Sequence, residues 1–266
     1  MAIITIFRGT QRGGKDLADS LAENLGYRLL GREELITTAA QEYGATEELV
    51  ESALLQRPGF LEGRGLKKLH YIHCVRAVLA RAVQGDNVVY HGQAGHLLLK
   101  GIAHHLRLKV IADMEYRIQE TMRGGTLTRD EAIYRIEESD RRRAEWMEWL
   151  HGVGTDDPVA YDLTINLEHL SIPDACAIIA QTVQHGFQTT PESQRTVDDL
   201  VIASQIRAKI GLDRNISDEK IEVEVQDGVV TINANVRSLG DTDDVRDAVR
   251  KIPGVKDVRS KIGTRW

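Results

Sequence analysis

Residues 2–17 read AIITIFRGTQRGGKDL. An apolar run at 2–7 has the length and composition of a buried strand, and it leads straight into a glycine-rich turn. That turn has the spacing Gly-x4-Gly-Lys, from Gly9 to Gly14 and Lys15. Behind it, Leu17, Leu21 and Leu25 recur every four residues, with Ala18 and Ala22 beside them and Gly26 as a stop, so an amphipathic helix is expected. Strand, glycine loop and helix in that order form the context in which backbone amides at a helix N-terminus hold phosphate. Gly9, Gly13 and Gly14 let the backbone come close, and Lys15 reaches the outer phosphates as a point charge. A hydroxyl residue ordinarily follows the lysine and binds magnesium; here it is Asp16. Asp16 can hold the metal through water or cap the helix, and a turn with no ligand would show the same glycines.

Outward from this stretch, helical periodicity covers roughly 32–43, 46–56 and 66–84. Short apolar strands are expected near 87–92, 106–112 and 161–167, with helices near 94–100, 114–123, 128–150 and 171–185. Strands alternating with helices predict an α/β fold, a parallel sheet flanked by helices. Periodicity stops at 186–195, GFQTTPESQR being read as a linker. A helix at 197–210 follows. Then KIEVEVQDGVVTINANV alternates through Ile221, Val223 and Val225, turns at Asp227-Gly228 and alternates again through Val230, Ile232 and Ala234. That is a β-hairpin pattern. A helix near 240–251 and a strand near 255–262 complete a small α+β domain of order αββαβ. The expected organisation is therefore a domain at 1–185, a linker at 186–195 and a second domain at 196–266.

The bulk properties suit two soluble domains: 266 residues, 42% apolar, 28% charged. The formal charge of −6 argues against bulk nucleic-acid binding, which depends on a lysine and arginine excess. Cys74 and Cys176 are too few and too far apart for a disulfide framework, and MAIITIF lacks the basic region of an export signal, so a cytoplasmic protein with reduced thiols is expected. His70, His73 and Cys74 share a helix face without an evident fourth metal ligand, and Trp146 and Trp149 read as packing residues.

The segment ITIFRGTQRGGKDLADSLAENLGYRLLGREELI resembles the opening of the cytidylate kinase-like family, a branch of the P-loop nucleoside monophosphate kinases. The resemblance continues through VVYHGQAGHLLLKG, ADMEYRIQETM, EESDRRRAEWMEWLHG and DDPVAYDLTINLEHL, to about residue 185. It implies ATP as donor, Mg2+ as cofactor and a small phosphorylated acceptor such as CMP. It implies that Gly9, Arg12, Gly13, Gly14, Lys15 and Asp16 hold the donor. In SDRRRAEW it assigns Arg141 and Arg143 to the transferring phosphoryl group, oriented by Asp140. Guanidinium groups suit that charge, but i,i+4 pairs such as Glu137–Arg141 would also mark an ordinary solvated helix face. Relatives carry an arginine where this chain has Gln93, in HGQAGH, and that arginine grips the acceptor phosphate. Arg32 is the alternative contact, or else a first-turn surface residue.

Residues 196–266 resemble the BON domain through IEVEVQDGVVTINANVRS and VRDAVRKIPGVKDVRSKI. The resemblance implies a regulatory or ligand-binding module, with a phospholipid or a protein as partner. Two further readings stand beside the enzyme: a nucleotide-binding sensor without transfer, and a lipid- or stress-related adaptor carrying a degenerate kinase scaffold.

Overall fold

A computed structural model describes the chain except for residues 10–11, 59–64, 124, 126, 212–221, 237–245 and 265–266. By contacts it divides into two compact units. One comprises Met1–Leu35, Leu55–Arg57 and Asp86–Thr189, the other Ile36–Leu54, Pro58–Gly85 and Thr190–Trp266.

The first unit is built on five parallel strands: β1 (Ile3–Arg8), β2 (Arg28–Gly31), β3 (Val88–His91), β4 (His105–Ile111) and β5 (Leu163–Asn166). Their order is β2-β3-β1-β4-β5. β1 lies in the middle and is buried on both faces from Ile3 to Phe7, as a central parallel strand requires. It pairs with β3 through Ile3–Val88 and with β4 through Ile3–His105. Helix α1 (Gly13–Leu25) buries Leu17, Ala18, Leu21 and Ala22 against the sheet and ends on Gly26 at φ +66°. Ala175, Cys176, Ile179 and Val183 of another helix, Ile172–Gly186, belong to the same core. The parallel α/β sheet expected from the sequence is thus present.

Helix α2 (Arg32–Tyr43) starts directly after β2. Helices α3 (Glu47–Leu55) and α4 (Gly65–Ala82) precede β3, and a short helix, α5 (Gly95–Leu98), follows it. After β4 come α6 (Met114–Met122) and α7 (Arg129–His151). α7 opens with a capping box between Thr128 and Glu131, an arrangement worth about 1 kcal/mol. Trp146 is fully buried and Trp149 partly so. His104 and His105 lie buried at the start of β4. His104 Nε2 lies 2.8 Å from Asp86 Oδ1, and His105 Nε2 lies 2.7 Å from Thr5 Oγ1, both buried.

The second unit contains α3, α4, a helix from Pro191 to Gly211, and a three-stranded sheet. The Ile172–Gly186 helix is α8 and the Pro191–Gly211 helix α9. Half of the expected linker at 186–195 is therefore helical, because Pro191 suits a first helical turn, where its missing N–H is not needed. Ala208 of α9 packs with Cys74 and Ala77 of α4, an association no local pattern announces. The sheet consists of β6 (Glu222–Gln226), β7 (Val229–Val236) and β8 (Asp257–Thr264), antiparallel then parallel. Residues 246–250 are helical, which gives the expected αββαβ order. Val223, Val230, Ile232 and Val258 share a core with Ile202 and Ile206 of α9. Ile221, the first half of the expected 240–251 helix and the side chain of Ala234 lie outside the described residues. The hairpin turns on Asp227 (φ +51°) and Gly228 (φ +78°), the backbone a two-residue turn of this kind needs. Asp199 Oδ2 and Oδ1 accept from the Asp227 and Gly228 amides at 2.8 Å each.

Candidate active site

Ligands of open parallel sheets sit beyond the carboxyl ends of the strands, where neighbouring connections diverge. Here that place is the end of β1, flanked by β3 and β4. Gly9 stands at this end. Its amide donates to the Val110 carbonyl at 2.8 Å, and a Cβ on it would lie 2.3 Å from that oxygen. Only glycine lets the chain leave β1 this close to β4. Arg12 is the residue before α1, and its carbonyl accepts from the Lys15 and Asp16 amides at 2.8 and 2.9 Å. Gly13 and Gly14 form the buried first turn, and the Arg12 side chain does not cap it. A Cβ on Gly14 would lie 2.8 Å from Arg8 Cγ. Lys15 Nζ donates to Asp19 Oδ2 at 2.8 Å, and Asp16 lies 3.9 Å from Arg12. Both pairs are exposed.

Two cavities open at the strand ends. The first, of about 270 Å³, is walled by Phe7, Gly9, Lys109, Arg117, Asp140 and Arg143 among others. The second, of about 310 Å³, meets Arg32, Gln93, Arg135, Glu138, Arg142 and Arg143. Arg143 borders both. Its Nη1 donates to the Arg8 carbonyl at 2.7 Å, its guanidinium lies 5.8 Å from the Phe7 ring centre, and Asp140 is 3.7 Å away. Asp140 also accepts from Arg117 Nη2 at 2.8 Å. Burial pushes the Arg143 guanidinium down to about 10; Asp140 opposes this, while Arg8, Arg117 and Arg32 add to it. Arg8 is likewise lowered by burial and by Arg32. Four arginines therefore converge at the end of β1, with Asp140 bonded to Arg117 and near Arg143 and with Glu33 bonded to Arg32 at 2.8 Å, and the surplus of positive charge favours an anion.

Five of the eleven site residues expected from the sequence border these cavities. Gly9, Asp140 and Arg143 line the first; Arg32, Gln93 and Arg143 line the second. Arg12, Gly13, Gly14, Lys15 and Asp16 border neither, and nor does Arg141. It projects to solvent and is held by Glu138 at 2.7 Å and Glu145 at 2.6 Å. Arg142, between Arg141 and Arg143 in sequence, reaches the second cavity instead. The solvated-face alternative thus holds for Arg141 and not for Arg143, because successive helical residues point about 100° apart.

Gln93 is 4% exposed, and its buried Nε2 has no hydrogen-bond partner among the described residues; the same holds for Nε of Arg32. Beneath them, burial pushes His91 down to about 4, with Arg8 adding to the effect, so the ring is neutral at pH 7. Sequence reasoning missed Arg8, Lys109 and Arg117. Arg117 sits in the first turns of α6 behind the Asp113 cap, a regular spacing that would have placed it on the face turned to α7. Lys109, a cation inside a strand, was a visible oddity; its Nζ donates to the Thr155 carbonyl at 2.9 Å and to Asp156 Oδ1 at 2.6 Å.

Among the described residues, no helix is long and apolar enough to cross a membrane.

Comparison with known proteins adds the following. No curated protein matches the chain in sequence. An uncharacterized protein from Eubacterium ventriosum shares the fold, with a TM-score of 0.52 and 17% identity over 69% of this chain and 98% of that one. A shikimate kinase from Bacteroides thetaiotaomicron aligns at 0.44 and 13% identity, over 69% of this chain and 99% of its own. A shikimate kinase from Acinetobacter baumannii, in complex with shikimate, aligns at 0.40 and 15%, over 69% and 94%. The model of the BON domain matches residues 198–265. The model of the cytidylate kinase-like family matches residues 3–169, well over half the chain, and with the strand order and glycine turn described above it establishes that this protein belongs to that family and carries a C-terminal BON domain.

Proposed function

We propose that the chain transfers the γ-phosphoryl group of ATP to a small phosphorylated acceptor, a CMP-like nucleoside monophosphate being the acceptor class that family membership suggests. The observation that carries the reading is Arg143, a desolvated guanidinium on the wall common to both cavities and crowded by Arg8, Arg32 and Arg117. Such a cluster is stabilised by an anion, and most of all by the charge spread over a phosphoryl group in flight.

The residues of the α1 turn fit a polyphosphate. Gly9 admits no side chain, and Gly13 and Gly14 are buried at the start of the helix. Gly9, its own amide bonded to Val110, leaves room for the donor's phosphates, and Gly13, Gly14 and the Arg12 charge hold them. Lys15 exchanges Asp19 for a phosphate oxygen. The exposed pair it gives up is worth about 0–1 kcal/mol, so the exchange costs little. Asp16 is a hard oxygen donor in the same turn and suits Mg2+ held through water. Magnesium, when bound, screens the charge of the donor phosphates. Arg32 and Gln93 bind the acceptor, and Asp140 holds Arg117 and Arg143 in register. In the transfer, an acceptor oxygen forms the new bond to the γ-phosphorus. The bond from that phosphorus to the β–γ bridging oxygen breaks, and ADP leaves with the electron pair. A phosphate oxygen as nucleophile needs no general base.

Residues 1–185 carry this chemistry in the proposal, and 196–266 act as a regulatory or binding module for a phospholipid or protein partner. The decisive experiment is calorimetry of the full chain with ATP and Mg2+, followed by a coupled assay over a panel of monophosphates. Heat with ATP and ADP release with one acceptor support the reading. One observation favours a sensor instead: neutral Gln93 at the acceptor-gripping position. ATP heat with no acceptor ever consumed selects that alternative.

A further inference from the structure

A lysine inside a parallel strand is unfavourable, because such strands are covered on both faces and a buried ammonium must be paired. Lys109 stands in β4 opposite Phe7 of β1, and its side chain is 12% exposed. No step of the transfer uses it. Its Nζ donates to the Thr155 carbonyl at 2.9 Å and to Asp156 Oδ1 at 2.6 Å.

The two partners differ in how firmly they are placed. The Thr155 carbonyl also accepts from Tyr161 Oη at 3.2 Å, and the Tyr161 ring centre lies 5.5 Å from Nζ. Tyr161 is itself buried, against Phe7 and His96. These contacts keep the ammonium where it is. Asp156 lies in the connection between α7 and β5, and its side chain is 93% exposed. An ammonium withdrawn from water needs an anion beside it; a carboxylate that is already in water does not need the ammonium. Replacing Asp156 by another anion keeps Lys109 paired and returns the carboxylate to full hydration, so little opposes the exchange.

Lys109 and Asp156 both border the first cavity, with Gly9 at the end of β1. The other charged groups on that wall are Arg117, Arg143 and Asp140. Asp140 is bonded to Arg117 at 2.8 Å. With Asp156 displaced, three cations face one carboxylate, and the rest of the wall carries no charge. Such a wall suits a phosphate oxygen.

We propose that Lys109 is a phosphate-binding residue of the first cavity, and that Asp156 is its resting partner, displaced when a phosphate oxygen of the ligand arrives. The proposal rests on the phosphotransfer reading of the site and adds to it a cation outside the glycine turn and the arginine run.

The test is calorimetry on the full chain with magnesium and a non-hydrolysable ATP analogue, and separately with CMP. It compares wild type, Lys109→Met, Asp156→Ala and the double variant. The ligand on which the variants act identifies the source of the phosphate, donor or acceptor. Lys109→Met is expected to weaken that ligand about tenfold or more, the size of one charge-assisted hydrogen bond. Asp156→Ala, at an exposed position where folding is not at risk, is expected to tighten it about two- to fivefold, because no carboxylate has to be displaced. In the Lys109→Met background that gain is expected to vanish, since nothing is left to exchange. A lysine with a structural role alone predicts no gain at position 156. Asp156→Ala that weakens both ligands or leaves both unchanged therefore overturns the proposal, and this variant decides alone if Lys109→Met lowers the urea midpoint. A gain that persists undiminished in the double variant also overturns it, as an effect of net charge only. In each of those cases wild-type heat with the ATP analogue leaves the phosphotransfer reading standing. Wild-type protein that binds neither ligand removes that reading and this proposal with it.

Discussion

Arg141 and Arg143 are two residues apart on one helix and have different surroundings. Arg143 lies in the crevice at the end of β1, bonded to the Arg8 carbonyl and facing Asp140. Arg141 lies in water between Glu138 and Glu145. As sequence they are interchangeable members of one basic run. The helix separates them by about 200° of rotation, and the docking of α7 decides which one loses its hydration. A cation with carboxylates of its own in water has little left to offer a ligand. A desolvated cation among other cations has much.

Removing the charges has the largest expected effect. Lys15→Ala and Arg143→Ala are each expected to lower kcat/KM by about 10²–10³, the size of losing one preorganised charge-stabilising group, in a coupled ADP-release assay with the best acceptor found. Arg141→Ala in the same assay is expected to stay within about twofold of wild type, as befits an exposed ion pair. Equal losses at 141 and 143 would mean that α7 turns on binding and that the distinction drawn here is wrong.

Acid comes next. Burial lowers His91 and His105 to about 4 and His96 to about 3, all within the first unit. Unfolded, each titrates near 6.5. Between about pH 6.5 and pH 4 the unfolded chain binds protons that the folded chain refuses, so stability falls as pH falls through that window. Urea midpoints recorded at pH 7, 6, 5 and 4 should descend for the transition of the first unit. A flat series would show that these rings are not held neutral.

Gly9→Ala tests the close approach of β1 and β4. A methyl group 2.3 Å from a backbone oxygen forces a shift, with an expected loss of about 1–3 kcal/mol in denaturant unfolding. Unchanged stability would show that the strand ends yield easily. The smallest effect is expected for the stability of Arg141→Ala, about 0–1 kcal/mol, which thermal melts at low and high salt can resolve. A large stability loss there would contradict the solvent-facing role that separates it from Arg143.

Much of the fold was legible because the signals were local. Residues 2–7 are a continuous apolar run, and the run became β1. Leu17, Leu21 and Leu25 are a helical stripe, and the stripe became the inner face of α1. Asp227-Gly228 marked a hairpin because few residues tolerate the positive φ that such a turn needs. Helix α9 starts earlier than the residues suggested, since the polar stretch 191–196 has no apolar period to announce it. In the site, Gly9 to Asp16 were legible as one contiguous motif. Arg117 and Lys109 were not, because their place depends on how α6, α7 and β4 meet.

By itself the sequence determined the alternation of strands and helices, the glycine turn that opens α1 and the small αββαβ module after it. Each of these rests on periodicity or on backbone conformations that only a few residue types allow. Tertiary structure alone decided which arginine of the run at 141–143 is turned into the crevice at the end of β1, that Arg32 and Gln93 share a cavity, and that α4 associates with α9. Burial and mutual repulsion depend on distances between residues far apart in the chain, and a linear spacing carries no such distances.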